Sequence, residues 1–426
     1  MRKPELLLPA GTLNRLKTAF LYGADAVYAG MPGVSLRNKT SWTLNEMQTG
    51  IAWAHERGKK VYLTLNLFTH NRDISRLNEF IGHLADLNPD GVIVADPGVF
   101  MLLKNRLPQL PLHISTQANV CSSLTVDFWK QQGAALCVLG REVPLHEMAQ
   151  IRQDHPDIRL ETFVHGALCV SYSGRCLLSN FMTGRSANKG NCAHACRWRY
   201  KIYTDTPSQH GETAWLEEEN RPGDLMRLDE DENGSYIMNS RDLCWLPRLN
   251  DILPIGIDSF KIEGRNKSEY YVAITAHAYR HAIDDWFSDP EHWSPDPYMN
   301  ELMTLQSRGY TVGFLDGNAG PEAHNYEVSA SEGEWRFAGV IRGHTANRVQ
   351  VEVKHKLTKG MILQAVSPFQ RTPISFQAEA LITPENGEYV ETISCGHPHQ
   401  MIEIITNNGE INTLPPLTVL RIQTPK

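Results

Sequence analysis

Short apolar runs alternate with amphipathic segments through the first 165 residues of the chain. The runs Leu6–Leu8, Ala26–Ala29, Val61–Leu65, Val92–Ala95, Leu112–Ser115, Leu136–Leu139 and Leu160–Val164 have the length of buried strands. Between them apolar residues recur at i, i+3 and i+4, as in Leu44-Met47-Ile51-Ala54 and Leu145-Met148-Ile151, which predicts helices. Seven such βα units precede a cysteine-rich segment; an eighth strand, Ser259–Ile262, follows it and leads into the helical pattern Tyr270–Trp286. Eight alternating units predict an α/β fold, a (β/α)8-type barrel with a cysteine-rich insertion. A doubly wound open sheet is the alternative, but no G-x-G-x-x-G turn follows the first strand.

The pattern changes at Glu334. Val349-Val351-Val353 and Ile374-Phe376-Ala378-Ala380-Ile382 alternate at period two, and Asn386-Gly387 and Asn408-Gly409 read as hairpin turns, so a small C-terminal antiparallel β-barrel is expected. The expected division is a catalytic domain over 1–330, with a cluster-binding insertion at 165–235, and a β-barrel domain over 334–426. The second domain either grips a macromolecule or serves packing and assembly. The acidic stretch from Lys201 to Ser235, with Glu217, Glu218, Glu219 and Asp229 to Glu232, reads as an irregular, solvated excursion.

In such a barrel the reacting groups come from the carboxyl ends of the strands. Those ends carry Asn66, Asp96, Ser115, Gln117, Arg141, Glu142, His165, Lys261, Glu263 and Arg265. The cysteine segment leaves from the seventh end and is expected over the barrel mouth.

Cys169, Cys176, Cys192 and Cys196 have the spacing C-x6-C-x15-C-x3-C. In a reducing compartment clustered thiols hold a metal or an iron–sulfur cluster rather than disulfides. Structural zinc prefers C-x2–4-C knuckles, which the first pair does not form, so iron–sulfur is favoured over zinc. From Thr162 to Thr204 there is no acidic residue, whereas Arg175, Arg185, Lys189, Arg197, Arg199 and Lys201 are basic. Such a segment suits an anionic cluster and an anionic substrate. Cys121, Cys137, Cys244 and Cys395 stand alone and read as inert.

Composition adds only bounds. The 426 residues are 41% hydrophobic and 21% charged, with a net charge of −7, which argues against indiscriminate nucleic-acid binding but allows a local basic face. Neither a membrane span nor a signal peptide is visible, so a cytoplasmic protein without membrane contact is expected.

The blocks PELLLPAG, YGADAVYAG, HISTQAN, FVHGALCVSYSGRC, CRWRY, YIMNSRDL and SFKIEGR resemble, in order, those of the bacterial family once labelled collagenase-like peptidases. The resemblance runs from Pro4 to Phe314 and on into the terminal module, and is strongest to the branch that makes 5-hydroxyuridine at the tRNA wobble position with prephenate. It implies an iron–sulfur-dependent RNA hydroxylase with a 4Fe-4S cluster on Cys169, Cys176, Cys192 and Cys196, and with tRNA and prephenate as partners. Relatives hydroxylate a 23S rRNA cytidine or act as ubiquinone-pathway subunits, and both remain alternatives. Prephenate is a dicarboxylate, so Arg141, Arg175, Lys261 and Arg265 are the expected anchors, with Gln117 and His165 beside them. For RNA, Tyr172 and Trp198 interleave with Arg197 and Arg199, a mixture that stacks bases and holds phosphates. The same aromatics would also shield a cluster from water.

A peptidase is disfavoured, because H-E-x-x-H and G-x-S-x-G are both absent and four clustered thiols suit no single nucleophile. An electron-transfer subunit is the third reading. A second subunit or a homo-oligomer is left open.

Overall fold

The computed structural model describes the chain except Met1, residues 31–41, 186–191, 205–213, 236–239, 318–322, 324–332, 425–426 and the single positions 68, 170, 174, 177, 220, 221, 224, 229, 232, 233, 346, 347 and 398. Eight parallel strands, β1 (Glu5–Ala10), β2 (Ala26–Gly30), β3 (Lys60–Leu65), β4 (Gly91–Val94), β5 (Leu112–Ile114), β6 (Leu136–Val138), β7 (Arg159–Ala167) and β8 (Ser259–Ile262), close into a barrel through β8–β1 and β8–β7 pairing. Helices α1 (Leu13–Leu21), α2 (Leu44–His55), α3 (Ile74–Leu87), α4 (Pro97–Arg106), α5 (Ser123–Gln131) and α6 (Leu145–Asp154) return the chain between consecutive strands. The α2 boundary follows from its capping box, in which Thr43 and Glu46 satisfy each other's backbone N–H groups. After β7 the chain carries α7 (Leu178–Thr183) in the cysteine segment and α8 (Leu249–Ile252), and α9 (Glu269–Ser288) follows β8.

Leu7, Ala26, Tyr28, Tyr62 and Ile93 fill the barrel interior, while the larger core lies between strands and helices. No described helix is long and apolar enough to cross a membrane.

One expectation changes. The described part of the acidic stretch is regular: Tyr200–Thr204, Ala214–Glu218 and Leu225–Leu228 form an antiparallel sheet that sets Lys201 opposite Glu217 and Tyr200 opposite Glu218, while Asp229 and Glu232 lie outside the described residues. Cross-strand pairing of opposite charges offsets the repulsion that an isolated acidic run would suffer. The terminal module is an eight-stranded antiparallel half-barrel, and among the described residues its outer strands Ile374–Gln377 and Tyr389–Val390 do not pair with each other. Asn386-Gly387 turns a hairpin between Ala380–Ile382 and Tyr389–Val390, but Asn408-Gly409 leads into a short 3-10 turn instead.

This module also shares its core with the barrel. Tyr22 donates its hydroxyl to the Val366 carbonyl (2.6 Å) and accepts from Val419 N–H (3.1 Å), and both valines belong to the barrel core. Arg342 pairs with Glu269 (3.0 Å), and Arg421 pairs with Glu301 (2.7 Å).

Candidate functional site

A stack of buried charge runs through the barrel interior up to its mouth. Lys261 on β8 donates to Glu161 on β7 at 2.7 Å, and the two side chains are 5% and 0% exposed. Ser259 donates to the other oxygen of the same carboxylate (3.0 Å). The Lys261 ammonium lies 4.6 Å from the Tyr28 ring centre and 5.4 Å from that of Phe163. On the same Phe163 ring rests the Arg141 guanidinium, at 3.7 Å, with Glu263 3.6 Å away. Arg265 donates to the Thr64 hydroxyl at 2.8 Å and is buried. The guanidinium–aromatic contact holds Arg141 flat while leaving its N–H edge for a planar anion. The Arg141 Nε and the Gln117 amide oxygen are both buried without a hydrogen-bond partner, an expensive arrangement that a polar ligand would relieve.

Lys261 is therefore an anchor of a different kind from the one expected. Its charge is already met by Glu161, at a depth where breaking the pair would leave a bare carboxylate.

His165 lies elsewhere altogether. Phe163 pairs with Lys261 but His165 pairs with Ile262, so β7 carries Val164 as an extra residue. A bulge of one residue reverses which face the following side chain takes. His165 consequently packs outside the barrel among Tyr271, Tyr279 and Tyr310, with ring centres 5.9, 5.6 and 5.4 Å away. Burial pushes its pKa down to about 4, against the pull of Asp242, so the ring is neutral. The turn after it needs Gly166: its φ is +109°, and a Cβ would stand 2.5 Å from the Glu263 carbonyl oxygen.

Two of the polar strand ends are structural caps. Asp96 accepts from Gly98 and Val99 N–H at the start of α4, and Ser115 caps the turn that holds Gln117. Glu142 and Asn119 have a role that spacing did not suggest. Glu142 accepts the backbone N–H and the hydroxyl of Ser173, while Asn119 donates to the Ser173 carbonyl (2.8 Å) and accepts from Arg175 Nε (2.7 Å). Ser173 lies between Cys169 and Cys176, so these two barrel loops hold the cysteine segment at the mouth from both sides.

The rest of that segment is tied to itself. Ser179 donates to the Arg185 carbonyl and accepts from Ala193 N–H, and Trp198 donates to the Ala193 carbonyl (3.2 Å). Cys192 Sγ accepts the His194 N–H at 3.3 Å, the kind of donor that stabilises a thiolate. All eight cysteines are free of disulfides; Cys169 is exposed and Cys176, Cys192 and Cys196 are partly buried. Among the described residues no three His, Cys, Asp or Glu side chains are arranged to hold a metal ion. As a donor set, four thiols on one acid-free segment suit a cluster. By contrast, burial raises the thiols of Cys121, Cys137 and Cys244 to about 11, 12 and 11, which keeps them protonated and poor ligands.

Of the residues expected to meet RNA, Tyr172 is 65% exposed and Arg199 stands out from the surface, 4.0 Å from Glu219. Trp198 is partly buried, its indole N–H spent on the segment itself. Arg197 sits in a 3-10 turn, and its side chain, like Lys189, falls outside the described residues.

The family model described as peptidase family U32 matches residues 11–325. The chain belongs to peptidase family U32. This U32 protein is 40% identical over 396 residues to "tRNA hydroxylation protein P" of Escherichia coli, covering 86% of this chain and 87% of that one. It is 34% identical over 357 residues to "tRNA hydroxylation protein P1" of Bacillus subtilis, covering 83% and 81%. A 23S rRNA 5-hydroxycytidine synthase of Escherichia coli is 35% identical over 281 residues, which span 66% of the U32 chain but 39% of that relative.

Proposed function

We propose that this chain is an RNA hydroxylase of the tRNA-modifying kind, converting the wobble uridine to 5-hydroxyuridine with prephenate as co-substrate and a 4Fe-4S cluster on Cys169, Cys176, Cys192 and Cys196. The observation that carries the reading is a convergence at one barrel end. A thiol-rich, acid-free segment is clamped beside buried guanidinium groups, in a chain similar over most of its length to proteins named for tRNA hydroxylation.

Each residue then has a task. Arg141 and Arg265 take the two carboxylates of the co-substrate, and Gln117 takes a hydroxyl donor through its unpartnered oxygen. Arg175, tied to Asn119, extends the cationic wall toward the thiols. Tyr172 and Arg199, both exposed, receive an unstacked base and its phosphate, with Arg197 and Trp198 beside them. A bound cluster would supply one-electron chemistry beside that site. The reaction needs RNA as partner and fits a cytoplasmic setting.

Mass spectrometry of nucleosides from a deletion strain, complemented with wild-type and Cys176→Ala genes, tests the reading. Loss of 5-hydroxyuridine from tRNA, restored by wild type alone, is the expected result. If 5-hydroxycytidine disappears from 23S rRNA while tRNA is unchanged, the ribosomal relative is the better guide.

A further inference from the structure

A cavity lies at the end of the barrel opposite the mouth, where the strands begin. Its volume is about 820 Å³, and it is bordered by the starts of β1, β3 and β7, the end of α2 and the turn before β8. That is the size of a small-molecule site. Seven basic side chains line it against four carboxylates, an excess of positive charge in a chain whose net charge is −7.

The carboxylates are fully engaged. Glu5 faces both Arg159 (3.2 Å) and Lys60 (3.6 Å), and also accepts the Tyr62 hydroxyl (2.9 Å). Asp284 is shared by Lys3 (2.9 Å) and Arg280 (2.6 Å), and Asp25 by Arg280 (3.1 Å) and Lys59 (3.8 Å). Asp258 is turned to Arg152, outside the cavity, at 2.6 Å. Three carboxylates thus meet five cations, Arg280 serving two of them, which leaves positive capacity facing the cavity; the Lys60 side chain is half exposed, and Arg57, paired with Glu56 at 3.2 Å, is nearly so.

The chemistry that complements this wall is multiply anionic and oxygen-rich, because guanidinium and ammonium groups arrayed around a pocket match phosphate oxygens. Among the described residues the lining contains no aromatic side chain, so the cavity lacks the stacking surface that single-stranded RNA uses. We propose that this cavity binds a small oligophosphate, of the pyrophosphate or nucleoside-triphosphate class, at a site separate from the barrel mouth.

Calorimetric titration of the full chain with inorganic pyrophosphate and with ATP tests the proposal, alongside tRNA retention by filter binding. Pyrophosphate should bind. Lys60→Gln and Arg57→Gln should each weaken it roughly tenfold, the cost of removing one charge-assisted hydrogen bond, while Lys60→Arg restores it and Arg141→Met has no effect. Both glutamine substitutions fall on exposed side chains, so melting curves matching wild type are expected. Failure of both probes to bind at millimolar concentration overturns the proposal. So does binding that Arg141→Met abolishes, which would place the phosphate at the mouth. If Lys60→Gln lowers tRNA retention and pyrophosphate does not bind, the cavity is an RNA surface and the small-ligand assignment fails.

Discussion

Glu142 accepts both the backbone N–H and the hydroxyl of Ser173, and so fastens the loop between Cys169 and Cys176 to the end of the sixth barrel strand. Hydrogen bonds to a charged acceptor are worth about 1.5–3 kcal/mol. Glu142→Gln keeps the shape but removes the charge. Hydrogen exchange across residues 168–176 should accelerate roughly tenfold or more while the barrel strands keep their protection. Unchanged exchange in that loop would show that Asn119 and Arg175 suffice to hold it.

Iron content discriminates among the eight cysteines. Protein purified without oxygen should carry about four irons per chain, and alanine at Cys169, Cys176, Cys192 or Cys196 should remove them. Alanine at Cys121 or Cys395 should not, since the first thiol is held protonated by burial and by the Glu142 and Glu147 charges, and the second lies in the terminal half-barrel. Stoichiometric zinc in place of iron would refute the cluster assignment.

The mouth cations should separate into two classes. Arg141→Met and Arg265→Met remove charge from groups proposed to bind carboxylate, so the KM for prephenate should rise about tenfold or more for each substitution. Lys261→Met instead strands Glu161, which is fully buried, and should cost about 3–5 kcal/mol of stability. Urea unfolding of the three variants reads the difference; equal midpoints for all three would contradict it.

His165 predicts a defined acid lability. Its folded-state pKa, about 4, lies below the unfolded value of 6.5, so the unfolded chain binds the extra proton. Its contribution is complete above pH 6.5 and falls as pH drops toward 4, by up to about 3 kcal/mol. His113, pushed down to about 3, and His281, to about 4, act in the same direction. His165→Phe should flatten, without abolishing, the slope of unfolding free energy against pH in that window. An identical slope in the variant would mean the imidazole is hydrated.

RNA contact should be electrostatic and local. The Arg199 ion pair with Glu219 is long and exposed, so its reversal should leave the fold intact, and Arg197 and Arg199 are reversed together. Binding of tRNA should weaken, and its dependence on salt should become shallower by about one unit of slope for each phosphate no longer neutralised. A double variant with wild-type salt dependence would move the RNA surface elsewhere.

Much of the architecture is legible in the chain because βα periodicity is a local property. All eight barrel strands coincide with apolar runs read from the sequence, and Ser259–Ile262 matches residue for residue. Other features depend on residues far apart. His165 points outward because one extra residue in β7 slips its register against a strand nearly a hundred residues later. Asp96 reads as a polar strand end yet is spent on capping α4. Glu161 escapes notice in sequence, although a lone acid inside the apolar run Leu160–Val164 is itself a sign of a buried charge partner.

Hydrophobic periodicity, turn residues and cysteine spacing therefore determine that this chain is an eight-fold barrel with a thiol-bearing insertion and a β-rich end. These are properties of neighbours along the chain, where sterics and side-chain direction act directly. Only the tertiary structure decides which charges are already paired: Lys261 with Glu161, Arg342 with Glu269, Glu142 with Ser173. The same holds for the joining of barrel and half-barrel by Tyr22, Val366 and Val419 into one core. Pairing and burial depend on distance in space, and at long sequence separation that distance is set by closure of the barrel rather than by any local pattern.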